Sequence, residues 1–445
     1  MIIKKKILLC ILIFCIYNFY AFPQSDTETH LEGNMNNPER EEWLRDLGFG
    51  LFIHFSHDSQ LGTVISHSVV GASEDYLDRY FNELPKTFDP YKFDAKRIAG
   101  IAKLAGMKYV VFDAKHHNGF CFWDTETTDF NIMNTPYGKD LLAEMIEGIR
   151  SAGLGVGLYY SPEDFWFLYN NDIVIRRREV KLNSETANKY NRFIEKQTEE
   201  LLTNYGKIDL LFIDSPMKEV CMKTAYSLQS DIIITRGAIK TPEQYVPGEI
   251  MNWLWESNVT MGDQWNYKPT NDNLKSGSKL IELLLEARAK GGNFLLNIGP
   301  HPEGNIPYEY EIRLREIATW YFINNEAIVN VRPWVLSNEG NIWFTASKDR
   351  KTLYAAIVHH DKWPRCERRE FVLKSVLATE NTKITVLGQN DLVCEYNPEV
   401  DPESRFEQKE EGLHISVMRA QRIYNNHEWP NPIVIKLENV KPAIK

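Results

Sequence analysis

The sequence predicts an α/β protein: a (β/α)8-like barrel, of the TIM-barrel type, followed by a C-terminal antiparallel β-sandwich. Three observations carry this. From about residue 41 to 330, short apolar, β-branched-rich runs alternate with stretches whose apolar residues recur at three- and four-residue spacing. After about 330 the texture changes to short runs alternating apolar with polar, separated by Gly, Asn, Asp and Pro. Finally, ionisable side chains stand just past the ends of several apolar runs, where a parallel barrel gathers its site.

In chain order, residues 1–21 read as a secretory signal: Lys4, Lys5 and Lys6 precede the apolar run Ile7–Tyr20, with the small residue Ala21 behind it. That run is too short to favour a membrane span, so a secreted or periplasmic mature chain without one is expected. Residues 22–40 are polar and read as a flexible leader. The barrel is assigned to 41–330. Its expected strands are Phe49–Phe55, Tyr109–Ala114, Gly155–Ser161, Leu210–Asp214, Ile232–Arg236, Met251–Trp255 and Asn293–Ile298. Its expected helices cover 94–106, 139–152, 184–205, 276–290 and 309–325, with Gly106 and Gly153 placed to stop the first two. Residues 240–275 show no helical period, which predicts one irregular barrel segment.

The second domain, 331–445, is expected to use strands Ile342–Ala346, Thr352–Val358, Arg369–Leu373, Lys383–Leu387, Leu413–Val417 and Ile433–Leu437. A structural role for it is favoured over sugar binding, because such a sheet is generic packing material.

Composition excludes some partners. The chain of 445 residues carries 51 basic and 61 acidic side chains, net −10. Removing the three lysines of residues 1–21 leaves 48 against 61, or −13. Arg176-Arg177-Arg178 is short and reads as a solvated helix face, so no nucleic-acid partner is expected. Beyond the signal lie Cys121, Cys221, Cys366 and Cys394, far apart and without CxxC; a Cys366–Cys394 bridge is one option that spacing does not decide. No HxxxH or HExxH pattern is present, and neither a metal nor a cofactor is expected.

Asp214, closing the run Ile208–Ile213, is the first candidate for catalysis, since a carboxylate at the tip of a buried strand is costly unless paired or used. Asp209, at the other end of that run, is assigned a structural role. A glycosidase needs a second carboxyl group; Glu243, Glu249 and Glu256 qualify, and spacing does not choose between them. His116 and His117 follow the strand Tyr109–Ala114, and His54 ends the first strand; all three suit hydrogen bonding to sugar hydroxyls. Gly291-Gly292-Asn293 precedes its strand and lacks the P-loop lysine, so it reads as a tight turn.

At these residues the chain resembles the α-L-fucosidases of glycoside hydrolase family 29. The matching stretches are Gly50–Phe55, Lys115-His116-His117, Gly119-Phe120-Cys121, Gly157–Ser161, Trp255-Glu256 and Gly291–Pro300. The resemblance implies a retaining exo-glycosidase that releases terminal α-L-fucose from an oligosaccharide or glycoconjugate. It implies Asp214 as nucleophile, Arg236 as a sugar-binding arginine, and Glu243, in Lys240-Thr241-Pro242-Glu243, as acid/base with Glu256 second. His54, His116, His117 and Tyr159 are implied as contacts to fucose hydroxyls, and Glu256 and Trp265 are counted with the substrate-binding set. The chain departs from the family at Asn118, where an aspartate is usual, and at Phe212, where a Trp is frequent. The usual Glu-Trp pair after the first strand has its nearest counterpart in Glu74-Asp75-Tyr76, within the unusual stretch Ser66–Tyr76. These departures bear on specificity, so α-L-galactosides are the alternative substrate. A catalytically silent sugar-binding protein and a metal-dependent hydrolase are the other readings. The oligomeric state is not legible.

Overall fold

The computed structural model describes residues 33–443 apart from 178–179, 361 and 426–427. The expected signal segment and most of the leader lie outside the described residues. Helix α1 (Pro38–Leu47) begins inside the stretch read as a leader, capped by Asn37, whose side chain accepts from the Glu39 N–H. Just before it, Asn36 brackets Ile234 with its amide, donating to the carbonyl (2.9 Å) and accepting from the N–H (2.8 Å). The chain is thus tied to the barrel by residue 36.

The barrel strands are β1 (Phe49–Ile53), β2 (Tyr109–Lys115), β3 (Gly155–Tyr160), β4 (Leu210–Ile213), β5 (Ile233–Ile234), β6 (Glu256–Thr260) and β7 (Asn293–Ile298). They form one parallel sheet in the order β5–β4–β3–β2–β1–β7–β6. The extended chain after β5 completes the ring through parallel bridges Lys240↔Trp255 and Glu243↔Asn258. No helix intervenes between β5 and β6, so the irregular segment expected over 240–275 is real. One strand differs from expectation. Met251–Trp255 is not strand apart from the bridge residue Trp255; the strand is the polar run Glu256–Thr260, whose residues are all buried.

The helices are α2 (Glu74–Asp78), α3 (Ala95–Leu104), α4 (Leu141–Ser151), α5 (Phe165–Tyr169), α6 (Ser184–Thr203), α7 (Lys218–Leu228), α8 (Gly277–Ala289) and α9 (Tyr308–Asn324). Asp94, Asp140, Asn183 and Ser276 cap α3, α4, α6 and α8 by accepting from N–H groups in their first turns. Gly106 and Gly153 take left-handed φ of 92° and 72°, ending α3 and α4 where expected. Strand periodicity separates two layers of packing. Phe52, Tyr109, Val111, Tyr159, Leu210, Phe212 and Leu295 fill the barrel interior as one cluster, while alternate residues join the larger core beneath the helices.

From Val331 onward the sheets are antiparallel. The strands are β8 (Val331–Glu339), β9 (Ile342–Ser347), β10 (Thr352–Ile357), β11 (Arg368–Leu373), β12 (Val376–Leu377), β13 (Lys383–Val386), β14 (Arg405–Lys409), β15 (Gly412–Met418), β16 (Ile433–Glu438) and β17 (Lys441–Pro442). Five form the sheet β13–β16–β10–β9–β8, three form β11–β15–β14, and β12 pairs with β17. All six strands expected here are present; β8, β12, β14 and β17 are additional. Cys366 and Cys394 form a disulfide, whereas Cys121 and Cys221 are buried thiols.

Candidate active site

The pocket lies at the C-terminal ends of the barrel strands. Asp214 follows β4 directly, and its backbone N–H donates to the Tyr160 carbonyl at the end of β3 (3.2 Å). Its side chain is 22% exposed and surrounded by donors. Arg236 Nη1 reaches Oδ1 at 2.8 Å, the Tyr159 hydroxyl donates to Oδ2 at 2.9 Å, and His117 Nε2 lies 3.4 Å from Oδ2. Burial alone would raise the Asp214 carboxyl, but the His117 hydrogen bond and the Arg236 charge outweigh it and hold the group well below the usual carboxylate range. It is an ionised carboxylate at neutral pH. Tyr159 is pushed the other way by burial and by Asp214, so its hydroxyl stays protonated and donates.

The histidines are fixed in different tautomers by their partners. Asn297, on β7, donates its amide to the Trp265 carbonyl (2.6 Å), which turns its oxygen towards His54 Nδ1 (2.6 Å). His54 Nδ1 therefore carries the proton, and Nε2 is an acceptor. Burial lowers the His54 pKa to about 4, so the ring is neutral at ordinary pH. At His116 the arrangement is reversed. Ser66 Oγ accepts from the Asn118 N–H (2.9 Å) and gives its own proton to His116 Nδ1 (2.7 Å), leaving Nε2–H as a donor. Burial, reinforced by His117 and His54, holds His116 well below its ordinary value. His117 Nδ1 meets Ser161 Oγ at 2.6 Å, and Ser161 donates onward to the Glu163 carbonyl (2.9 Å). The rings of His116 and Tyr159 stack 5.1 Å apart at 5°, and Trp265 lies 5.0 Å from His54. His54 and His116 thus reach one pocket, His54 donating to Asn297 and His116 accepting from Ser66.

Arg236 joins the second carboxyl group to the first. Its Nη2 pairs with Glu243 Oε1 while Nη1 holds Asp214, and its Nε donates to Thr241 Oγ1 at 3.2 Å. Glu243 is the more open of the two acids, at 42% exposure. Glu256 is elsewhere. It opens β6 at the opposite end of the barrel, fully buried, accepting from the Tyr109 hydroxyl at the start of β2. Neither a second acid/base nor a substrate contact can be assigned to it. Asp209 also sits at that lower end, holding Arg40 at 2.8 Å and the Val156 N–H at 3.1 Å, in the structural role expected.

Two site residues were not read from the sequence. His67 places its ring 5.6 Å from His117 and 6.2 Å from His116. It comes from the unusual Ser66–Tyr76 stretch, which supplies a histidine to the pocket, whereas Glu74 and Asp75 lie exposed on α2. Burial, with the nearby charge of Arg177, lowers the His67 pKa to about 4. Arg177 is the second. Arg176 and Arg177 are not on a helix face but in the irregular chain between α5 and α6, and Arg177 Nη2 lies 3.4 Å from His117 Nε2. A run of arginines in a loop carries no local signal of where it folds back.

A barrel that presents an ionised aspartate, a second carboxyl group on the same guanidinium and a ring of histidines is suited to glycoside cleavage. The family model described as alpha-L-fucosidase matches residues 21–326. The chain belongs to the α-L-fucosidase family. Among curated members, the alpha-L-fucosidase of Dictyostelium discoideum is 27% identical over 391 residues, spanning 78% of this chain and 83% of its own length. Alpha-L-fucosidase isoenzyme 1 from Paenibacillus thiaminolyticus superposes with a TM-score of 0.72 at 26% identity, covering 90% of this chain and 98% of that one. The alpha-L-fucosidase of Vibrio sp. strain EJY3 gives a TM-score of 0.71 at 25% identity, over 92% of this chain and 74% of the other. These fucosidases share both the barrel and the C-terminal sheets.

Proposed function

We propose that this member of the fucosidase family is a retaining exo-α-L-fucosidase with Asp214 as nucleophile and Glu243 as acid/base. The observation that carries the assignment is the shared guanidinium of Arg236, which sets two carboxyl groups side by side, one ionised and enclosed, the other open to solvent. Retaining glycosidases place theirs roughly 5–5.5 Å apart, against about 6.5–9.5 Å in inverting enzymes. Asp214 attacks the anomeric carbon as Glu243, displaced from Arg236 by the incoming substrate, gives its proton to the leaving oxygen. Water then yields its proton to Glu243 and attacks the fucosyl ester of Asp214, restoring the α configuration. His54 accepts a hydrogen bond from one sugar hydroxyl, while His116 donates to another.

The N-terminal pattern, together with the Cys366–Cys394 disulfide, supports an oxidising location outside the cytoplasm. The substrate is a fucosylated glycan.

The test is hydrolysis of p-nitrophenyl α-L-fucoside by the wild type, Asp214→Gly and Glu243→Ala, with and without azide and EDTA. Both variants should lose turnover. Azide should rescue Asp214→Gly with formation of the β-fucosyl azide and Glu243→Ala with formation of the α-azide, because the first lacks the nucleophile and the second only the acid/base. Exchanged products would reverse the two roles, and full activity in Asp214→Gly would remove it from the mechanism. Loss of turnover in EDTA would favour a metal-dependent hydrolase, and preference for the α-L-galactoside would change the named sugar.

A further inference from the structure

Glycoside cleavage as written leaves one pocket cation without a task. Arg177 touches His117 Nε2 through Nη2 at 3.4 Å and lies 3.7 Å from Glu163 Oε2 through Nε. Both distances exceed the roughly 2.7–2.9 Å of a charge-assisted hydrogen bond. Arg236, in contrast, divides its fork between Asp214, Glu243 and Thr241. Arg177 therefore faces the pocket, 37% exposed, with donor capacity that its described partners do not fill.

Its side of the pocket matters. His117 approaches Asp214 at Oδ2, and Arg236 approaches it at Oδ1, carrying Glu243 on its other arm. The leaving group belongs beside Glu243. Arg177, reaching His117, stands on the far side of the nucleophile, beside the sugar ring that stays on the enzyme. His67 borders the same place, its ring 5.6 Å from that of His117. A planar guanidinium with open donors beside a neutral imidazole is a combination that recognises oxyanions bidentately, which a lone hydroxyl does not require.

We propose that Arg177, assisted by His67, is a specificity-determining residue that binds a sulfate ester carried by the fucosyl ring itself. This rests on the fucosidase reading of the pocket, but it makes a separate claim. The chemistry at the anomeric carbon is unchanged: the sulfate stays on its hydroxyl, and no bond to sulfur breaks.

Two measurements test it, at constant ionic strength. The first is calorimetric titration of the wild type and Arg177→Ala with L-fucose and its 2-, 3- and 4-O-sulfates, which needs no turnover. One monosulfate should bind the wild type at least tenfold more tightly than L-fucose, and that advantage should vanish in Arg177→Ala and fall in Arg177→Lys, which keeps the charge but loses the fork. The second is kcat/KM on p-nitrophenyl α-L-fucoside, its monosulfates, and a fucosylated disaccharide whose neighbouring sugar bears a carboxylate. Arg177→Ala should lose tenfold more on the preferred sulfate than on the neutral ester.

Equal or weaker binding of all three sulfates by the wild type overturns the proposal, as does a sulfate preference that survives Arg177→Ala. An Arg177-dependent gain confined to the carboxylated disaccharide also overturns it, by placing the anion on the leaving group. Hydrolysis of the neutral ester with no sulfate preference sinks this inference alone, whereas sulfate binding without any hydrolysis sinks the fucosidase reading alone.

Discussion

Asp214 and Glu243 are held on two arms of one guanidinium, so the charge that keeps the first ionised also parks the second. Arg236 keeps its own proton despite burial because both acids favour the cation. Removing it should release both. With the folded-state pKa of Asp214 depressed, loss of the cation raises it, and the carboxylate is then protonated at a higher pH. The acid limb of kcat/KM in Arg236→Ala should move upward by roughly one to three pH units, and the pH-independent value should fall by roughly a hundredfold or more. A limb that stays in place would show that His117 and Tyr159 suffice.

The two tautomer locks are separable from the chemistry. Asn297→Ala removes the acceptor that keeps the His54 proton on Nδ1, and Ser66→Ala removes the donor to His116 Nδ1. Each should cost about 1–2 kcal/mol of transition-state binding, or roughly 5–30-fold in kcat/KM, mainly through KM. Because burial lowers His54 to about 4, it contributes no limb to the wild-type profile between pH 5 and 8. Steady-state profiles of the two variants check both statements.

Glu256 gives a prediction on stability. Burial raises its carboxyl to about 7 against an ordinary 4.5, the Tyr109 hydroxyl opposing in part. A raised acid binds its proton more tightly when folded, so its contribution favours folding below about pH 4.5 and is lost as pH rises through 7. Glu256→Gln, which still accepts from Tyr109, should match the wild type near pH 4.5 and exceed it at pH 8 by roughly 3 kcal/mol at most. Urea unfolding of the pair at both values reads the difference directly; equal stability at pH 8 would mean that Glu256 ionises without penalty.

Reduction should act on the second domain. The Cys366–Cys394 bridge closes a loop of 28 residues in sequence separation, which by chain entropy is worth about 3–4 kcal/mol. Cys366→Ser should lower the unfolding free energy by that amount, read as a lower denaturant midpoint, while leaving kcat on a small fucoside within a factor of two, since Asp214 and its partners are all barrel residues. A comparable loss of kcat would show that the sandwich supports the pocket.

The sequence was legible where function and packing write locally. The strand closing at Asp214, Leu210–Ile213, is wholly apolar because it is buried on both sides, and the carboxylate after it stands out by contrast. The polar strand Glu256–Thr260 was hidden for the opposite reason. Its Glu, Ser, Asn and Thr side chains are buried in the barrel and carry no apolar alternation, so the preceding Met251–Trp255 took its place and Glu256 was drawn into the wrong end of the fold. Helices α1 and α7 lie in polar or mixed stretches whose period is weak. His67 and Arg177 arrive from loops, and only the folded chain brings them to His117; nothing in a loop's composition records which wall it will face.

The ring of strands is completed by Lys240–Glu243 without a helix of its own between β5 and β6. Strands β2, β3, β4 and β7, in contrast, each pack against a helix. The chain that carries Glu243 is joined to its neighbours by single bridges, whereas Asp214 closes a strand paired on both sides. An engineer seeking a new leaving group would therefore begin with this helix-free span, keeping Glu243 within reach of Arg236, rather than with the pocket floor.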